Sequence, residues 1–410
     1  MAGRRWGAPF FACVAMLLAT PSSARVLDDL REKDVPAVER FRFSGQADVA
    51  YTDAQPAATP FTFNGAGDTG GISTFSLEAH LFFHAILSPR TKVFVKLHAS
   101  ADDRSRVNVE SLAITTKLGY GWPVLEVGRF QSNFGRFPQR FLPMDNPLCG
   151  EPLIYTYPTN LPTDQVPQSA ADLLTQRGHG DNLQFAGYGS GTSGQSLVSG
   201  SWNLNGLKFA GHQEEFSYSL ALSNEQAAWS SNFDPNDNKA LTLHLGYKPS
   251  LPLGFGLSYS HGAYLEHAIG AVPAYKSLHL GDFEANSLGF DFDYAEGPFR
   301  FFAEVVYNDW QTPFIPQGLH VTGWFLEPRY KISPELYVAL RLEHTHFSEV
   351  PVGGTSQPWD FDVGRLELGL GYIIERDLRL KASYQFNRTG GALPDDPEDN
   401  LVQAQLVAAF

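Results

Sequence analysis

The sequence has few of the features that would place it among disulfide-stapled proteins, helical membrane proteins or familiar enzymes. It contains two cysteines, Cys13 and Cys149, in 410 residues. Beyond its first two dozen residues, no stretch approaches the about 18 consecutive apolar residues of a membrane helix. The GxSxG, HExxH, P-loop and CxxCH patterns are absent. We therefore expect no disulfide framework, no membrane-spanning helix, no enzyme activity and no bound cofactor.

The first 24 residues have the layout of a secretory signal peptide. Arg4 and Arg5 supply a positive start, residues 9–20 an uncharged apolar segment, and Ser22-Ser23-Ala24 the small residues of a cleavage site. Cys13 lies too early for a lipoprotein cysteine. We predict cleavage after Ala24, with residues 25–40 forming a short, charged periplasmic lead-in.

The composition favours a β-barrel of the bacterial outer membrane. Aromatic residues make up 13% of the chain, and the 38 glycines are spread through a sequence of slightly negative mean hydropathy. An exported, aromatic-rich chain without continuous apolar segments is typical of such barrels. The net charge of −14 argues against a nucleic-acid partner.

Period-two alternation predicts long strands. From Leu378 to Phe386, every second residue is apolar or aromatic, while Arg379 and Lys381 lie on the other face. Strands of soluble sheets are mostly about 5–6 residues long, whereas a tilted membrane strand needs about 9–11. The longer runs favour a membrane barrel over a soluble sandwich.

Counting such runs predicts a transmembrane antiparallel all-β barrel of about sixteen strands, with fourteen or eighteen as alternatives. The predicted strands are 41–51, 72–87, 91–99, 107–119, 124–130, 205–211, 215–224, 239–248, 253–263, 281–295, 298–309, 319–332, 335–348, 360–374, 377–388 and 400–410. Tight turns alternate with longer polar connections, such as 264–280 and 349–359, as in outer-membrane barrels. The barrel domain spans 41–410 and carries one long loop, 131–204.

The last residue, Phe410, closes an alternating strand as the usual outer-membrane assembly signal does. We expect the barrel assembly machinery, membrane lipid and lipopolysaccharide as partners.

Three segments resemble the phosphate-selective porin O/P family of outer-membrane porins. These are LEVGRFQSNFG (125–135), GLKFAGHQEEFSYSLALSNE (206–225) and LHLGYKPSLPLGFGLSYS (243–260). One departure is Asn133, where the family usually has proline before Phe-Gly. The resemblance implies a sixteen-stranded porin for small hydrophilic solutes, often a homotrimer, in which the third long loop folds into the lumen.

Charged residues near this loop are candidates for a pore constriction: Arg129, Arg136, Arg140, Asp145 and Glu151. Charge clusters filter ions by attracting or repelling partly dehydrated solutes. The alternative is that these are solvated loop charges paired with one another. Five carboxylates stand against three arginines within the loop, so phosphate selectivity is not supported.

Alternation predicts further lumen-facing charges on the strands, mixed in sign: Arg300, Glu304, Arg341, Glu343, Arg365, Glu367, Arg379 and Lys381. A water-filled interior explains such residues without a specific substrate.

Two other groups have plainer explanations. His344 and His346 share one strand face, but the sequence shows no third metal ligand, so we expect a rim position and no metal site. Trp122, Trp310 and Trp324 fit the aromatic girdles at the membrane interfaces.

The sequence thus predicts an outer-membrane porin that passes small hydrophilic solutes or ions by diffusion and is constricted by the loop after the fifth strand. Two alternatives remain: a barrel that sheathes a periplasmic electron-transfer or secretion partner, and a barrel enzyme. The enzyme would need a Ser-His or Asp-His set on adjacent outward strands, which the sequence does not offer.

Overall fold

A computed structural model of the protein describes residues 40–55, 73–101, 106–119, 123–199, 203–228, 236–390 and 399–410. The expected signal peptide, 1–24, lies outside these ranges, as does the lead-in 25–40 apart from Arg40. Trp122 also lies outside them.

Sixteen antiparallel strands close into one barrel, as the alternation predicts. They are β1 (Phe41–Ala54), β2 (Ser73–Ile86), β3 (Thr91–Ser100), β4 (Arg106–Lys117), β5 (Val124–Gln131), β6 (Asn203–Gln213), β7 (Phe216–Ser223), β8 (Ala240–Ser250), β9 (Leu253–Ala263), β10 (Glu284–Glu296), β11 (Phe299–Thr312), β12 (Ile315–Lys331), β13 (Leu336–Phe347), β16 (Val363–Glu375), β17 (Leu378–Thr389) and β18 (Leu401–Ala409).

The remaining strands, β14 (Glu349–Val352) and β15 (Thr355–Pro358), pair with each other outside the barrel wall. The sequence predicted only a polar connection there. Gly353 and Gly354 have φ values of 61° and 88°, which suit the two central positions of a tight hairpin turn.

The wall has an apolar outer face and a polar inner face. In β17, Leu380 and Phe386 are exposed, whereas Lys381 and Gln385 are buried inside. Neighbouring strands are in register, so that Leu380 lies beside Tyr372 and Leu406 on the outer face. Because successive side chains point to opposite sides of a strand, one pattern produces both surfaces.

The first and last strands pair directly, so the sheet has no free edge. Gly45 N–H donates to the Phe410 carbonyl at 2.8 Å, and Phe410 N–H donates back to Gly45 at 2.9 Å. Tight turns such as 251–252 and 297–298 lie at one end of the barrel, and long connections lie at the other.

Within the described ranges, helical structure is limited to short segments in the connections. The long loop between β5 and β6 contains a 3₁₀ turn (Phe137–Gln139), α1 (Leu153–Thr156) and α2 (Ala170–Thr175). The connection before β10 contains three more 3₁₀ turns, His267–Ala271, Pro273–Tyr275 and Leu280–Asp282. No helix in the described ranges is long and apolar enough to cross a membrane.

Candidate functional site: the loop inside the barrel

The loop after β5 turns into the barrel at residues 131–135. Gly135 has a φ of 72°, and a Cβ there would lie 2.5 Å from the Tyr155 hydroxyl. Asn133 Nδ2 donates to Ser219 Oγ at 3.0 Å and to the Thr242 carbonyl at 3.2 Å, on β7 and β8. Asparagine at position 133 thus ties the start of the loop to the nearby wall strands β7 and β8 through donor groups that proline lacks.

Glu304, on β11, receives the first turn of the loop. Its Oε1 accepts hydrogen bonds from the backbone N–H of Arg136 at 2.7 Å and of Phe137 at 2.6 Å, and its Oε2 accepts the Tyr155 hydroxyl. The three hydrogen bonds offset much of the free-energy cost of removing this carboxylate from water. Glu304 is therefore an attachment point for the loop.

Arg341, on β13, is completely buried at the centre of a second attachment point. Its Nη2 lies 2.6 Å from Glu327 Oε2, and its Nη1 lies 3.2 Å from Glu367 Oε2. Nη1 also donates to the Gly150 carbonyl of the loop at 2.8 Å. The guanidinium thus joins two wall carboxylates to the loop backbone.

Lys381 forms a third attachment. Its Nζ donates to the carbonyl oxygens of Pro143 at 2.9 Å, Asn146 at 3.2 Å and Leu148 at 2.9 Å. Three acceptors match the three N–H bonds of an ammonium group, so the loop backbone satisfies this buried cation.

Most of the predicted lumen-facing charges therefore hold the loop. Those bonded to it are Glu304, Arg341, Glu343, Arg365, Glu367, Arg379 and Lys381. Arg300 stays exposed. The interpretation that a water-filled interior accounts for these residues is wrong for the buried ones, because they face the loop backbone instead of open water.

An apolar core also fills part of the barrel, which corrects the expectation of a water-filled interior. Phe134, Phe137 and Ile154 of the loop belong to the same buried cluster as Val306 and Phe325 of the wall. The inner faces of β11 and β12 therefore carry apolar residues where the loop packs on them.

Trp310 belongs to this core and not to an interfacial girdle, contrary to the sequence prediction. It is fully buried and packs edge-to-face on Trp359 at a centroid distance of 6.0 Å. Trp324, in contrast, stacks near His344 on the outward face. The alternation of side chains along a strand explains the difference. Trp310 lies an even number of residues from Glu304 on β11 and points inward like it, whereas Trp324 points outward.

The five constriction candidates do not all meet. Arg129 pairs with Leu112, an exposed residue of the outer face, and its Nε donates to the Glu110 carbonyl at 2.9 Å. Its expected place at the constriction is therefore wrong, because strand parity directs the side chain outward.

The other four lie on the loop inside the barrel. Arg140 Nη1 contacts Glu327 Oε1 at 2.6 Å, and Arg136 Nη2 lies 3.9 Å from Asp293. Asp145 is exposed. Burial, with a smaller contribution from Glu78, raises the pKa of Glu151 to about 8. Loop charges of both signs therefore lie within the lumen, the cations paired and Glu151 largely neutral at pH 7.

Sequence analysis missed a group of charged and imidazole side chains on β2, β3 and β4. Glu78, His98 and Glu110 are partly exposed to the lumen, and His80 and Lys96 are buried beside them. The alternation of Glu78 with His80 and of Lys96 with His98 was a usable signal. Glu110 could not be found that way, because a register shift opposite Lys96 and Leu97 brings it inward.

His344 and His346 lie on one face, as predicted. His346 Nδ1 contacts a single carboxylate, Asp362, at 2.8 Å. His344 stacks on Trp324.

No protein-family model matches the chain, and no curated protein matches it. The resemblance to the phosphate-selective porin O/P family therefore stays a prediction.

Solved structures match the fold over 90% of this chain. One is OmpF of Salmonella typhi in complex with daunomycin, with a TM-score of 0.55, 11% identity and 97% of its chain covered. The anion-selective porin of Comamonas acidovorans has a TM-score of 0.53, 10% identity and 99% coverage. The trimer form of OmpT, an outer-membrane protein of Vibrio cholerae, has the same three values. The fold is thus that of bacterial outer-membrane porins.

Proposed function

We propose that the protein is a passive diffusion channel of the bacterial outer membrane for small hydrophilic solutes or ions, narrowed by the loop of residues 132–199. The observation that carries this proposal is the combination of a closed barrel, an apolar outer face and a loop fixed across the lumen by buried charges. An apolar outer face suits lipid, and a lumen with charged groups suits water and dissolved ions.

The exposed charges on either side of the loop are mixed in sign, which favours a channel of broad permeability. On the long-loop side, Glu78, His98 and Glu110 remain in contact with solvent. On the tight-turn side, Arg136, Asp293 and Arg300 do so. No single sign dominates, so we expect weak ion preference.

Single-channel recording of the full-length protein in planar bilayers tests the proposal. We expect discrete conductance steps from the wild type. The E304A/E343A double variant, which loses two loop attachments, should give larger and noisier steps. R300Q, which removes an exposed charge without touching the loop, should keep the wild-type step size within about a factor of two. An intact barrel that passes no current would overturn the proposal.

A sheath for a periplasmic electron-transfer or secretion partner was the alternative. The loop and its apolar core fill much of the space in which such a partner would lie. The described structure therefore favours a solute channel over a sheath.

We further propose that the protein is exported through a cleaved signal peptide, 1–24, and is inserted by the barrel assembly machinery through Phe410. We also propose that it contacts lipopolysaccharide and forms a homotrimer. The trimer form of the Vibrio cholerae protein supports the last point by analogy of fold. Analytical ultracentrifugation in mild detergent would measure the mass of the complex. A monomer at all concentrations would contradict the trimer.

Kinship with the phosphate-selective porin O/P family is also proposed, without phosphate selectivity. Its support is the position of Gly128-Arg129-Phe130 at the end of β5 and Phe134-Gly135 at the loop entry. Equal permeability to phosphate and chloride, relative to their mobilities, is expected in bilayers. A strong phosphate preference would contradict this expectation.

A further inference from the structure

Two imidazoles and a carboxylate come together on the inner wall, away from the attachment points of the loop. One ligand atom from each of Glu78, His80 and His98 lies within 4.8 Å of the others. The two rings are stacked, with centroids 4.6 Å apart and an interplanar angle of 11°. Their position is set by strand pairing, since His80 is directly opposite His98 in the β2–β3 register.

We propose that Glu78, His80 and His98 form a binding site for a divalent transition-metal cation, of which Zn²⁺ and Cu²⁺ are the best matched. Two imidazole nitrogens and one carboxylate oxygen suit these ions, whereas Mg²⁺ and Ca²⁺ prefer oxygen ligands alone. The site goes beyond the proposed channel function and does not depend on it.

Glu110 and Lys96 complete the arrangement as positioning residues. Glu110 Oε1 lies 3.5 Å from His98 Nδ1, on the opposite edge of the ring from Nε2, which faces Glu78 Oε2 at 3.3 Å. A carboxylate behind a ligating histidine fixes the ring orientation and raises its basicity. Lys96 forms an ion pair with Glu110, which keeps that carboxylate in place beside the rings.

His80 supplies an independent indication of a ligand. Its side chain is 5% exposed, and within the described residues its Nδ1 has no hydrogen-bond partner. The nearest carboxylate oxygen, Glu110 Oε2, is 3.6 Å away. Buried polar nitrogens are nearly always satisfied, so this nitrogen marks His80 as an imidazole that the surrounding protein groups do not fully satisfy.

The site is open on one side and closed on the other. Phe141 of the loop packs edge-on against His80, with centroids 6.0 Å apart, and its ring lies 4.2 Å from Lys96 Nζ. Glu78 and His98 are 39% and 23% exposed. A cation can thus reach the site from the lumen, while the loop shields its inner edge from water.

Metal binding to tag-free, full-length protein in detergent tests the proposal. Isothermal titration with Zn²⁺ should show one saturable site in the wild type. We expect affinity to fall more than about tenfold in H98Q and in E78Q, since each loses a ligand, and by about 10–100-fold in E110Q, which loses the positioning carboxylate. Glu78 and His98 are partly exposed, so these variants should fold, as heat-modifiable gel migration would verify.

Cu²⁺ electron paramagnetic resonance identifies the ligands. Nitrogen hyperfine coupling should report two imidazoles in the wild type and one in H98Q. H346Q is the matched control, because His346 contacts one carboxylate at the rim, and C149S controls for the thiol. Both should keep wild-type affinity and spectrum.

Wild-type affinity no higher than that of H98Q, or an unchanged nitrogen count in H98Q, would overturn the site. Because neither readout requires current through the barrel, failure of the metal site and failure of the channel proposal would be distinguishable.

Discussion

Arg341 shows how a buried charge inside this barrel is satisfied, by carboxylates of the wall together with groups of the loop. Arg341 is fully buried, yet its Nε and Nη2 contact Glu327 at 2.8 and 2.6 Å, and its Nη2 also reaches Asn146 Oδ1 at 3.0 Å. Removing one partner of such a group leaves unpaired carboxylates in a dry site, which costs more than the pair contributes.

R341A should therefore lower the free energy of unfolding by about 3–5 kcal/mol. Urea unfolding of the protein in lipid vesicles would measure this change. R300Q is the control, because Arg300 is exposed, and it should change the free energy by less than about 0.5 kcal/mol. Similar values for the two variants would mean that the Arg341 cluster does not stabilise the barrel.

Glu151 gives the lumen a titratable charge. Burial and the neighbouring Glu78 raise the pKa of Glu151 to about 8, so the carboxyl is mostly protonated at pH 7 and gains negative charge above pH 8. Cation preference should therefore increase between pH 7 and pH 9.5. Reversal potentials under a KCl gradient would show the change, and E151Q should lose most of it. An equal pH response in E151Q would assign the titration to another group.

Among the larger elements, the β14–β15 hairpin and the inserted loop support each other at the long-loop end. Arg177 of the loop donates from Nη2 to Gln357 Oε1 at 3.1 Å and from Nη1 to the Pro358 carbonyl at 3.3 Å. Trp359, which follows the hairpin, is buried against Trp310 and Phe347. The hairpin is thus attached by an aromatic residue at its base.

W359A should detach the hairpin and expose the loop near Arg177. Replacing a buried tryptophan by alanine lowers the free energy of unfolding by about 3–5 kcal/mol. Here most of this loss should appear as local opening of the hairpin and the adjoining loop. Limited trypsin digestion of the folded protein should then cut after Arg177 much faster than in the wild type. W324A removes an outward tryptophan and should leave the cleavage rate unchanged. Protection of Arg177 in W359A would show that other contacts hold this region.

The molecule as a whole is defined by two opposite surfaces on one sheet. Leu368 and Leu370 are 42% and 53% exposed on the outer face, while Glu367, which precedes Leu368, is fully buried inside. Such a wall is stable only where lipid or detergent covers the outside. The apolar surface of the barrel therefore indicates its surroundings more directly than its net charge does.

L368R should destabilise the barrel in lipid vesicles by about 2–4 kcal/mol, because it places a charge near the middle of the wall. I374R lies on the same face of β16, one residue from the tight-turn end, and should cost at most about 1 kcal/mol. Unfolding in vesicles of defined thickness measures both. Equal costs at the two positions would contradict a bilayer centred on this wall.

The fold was largely predictable, whereas the candidate site was not. Alternation in single strands predicted sixteen strands and the inward phase of residues such as Glu304 and Lys381. It failed at Arg129, which strand parity directs outward, and at Trp310, which packs on a loop that the pattern does not describe.

The sequence by itself determined the barrel, because alternation, strand length and turn position are local properties that each segment carries independently. Only the tertiary structure decided which charges meet. Arg341 binds Gly150 across 191 positions, and a β-bulge brings Glu110 beside His80 and His98. The path of the loop and the register of strands fix such contacts, and both depend on the closure of the whole barrel.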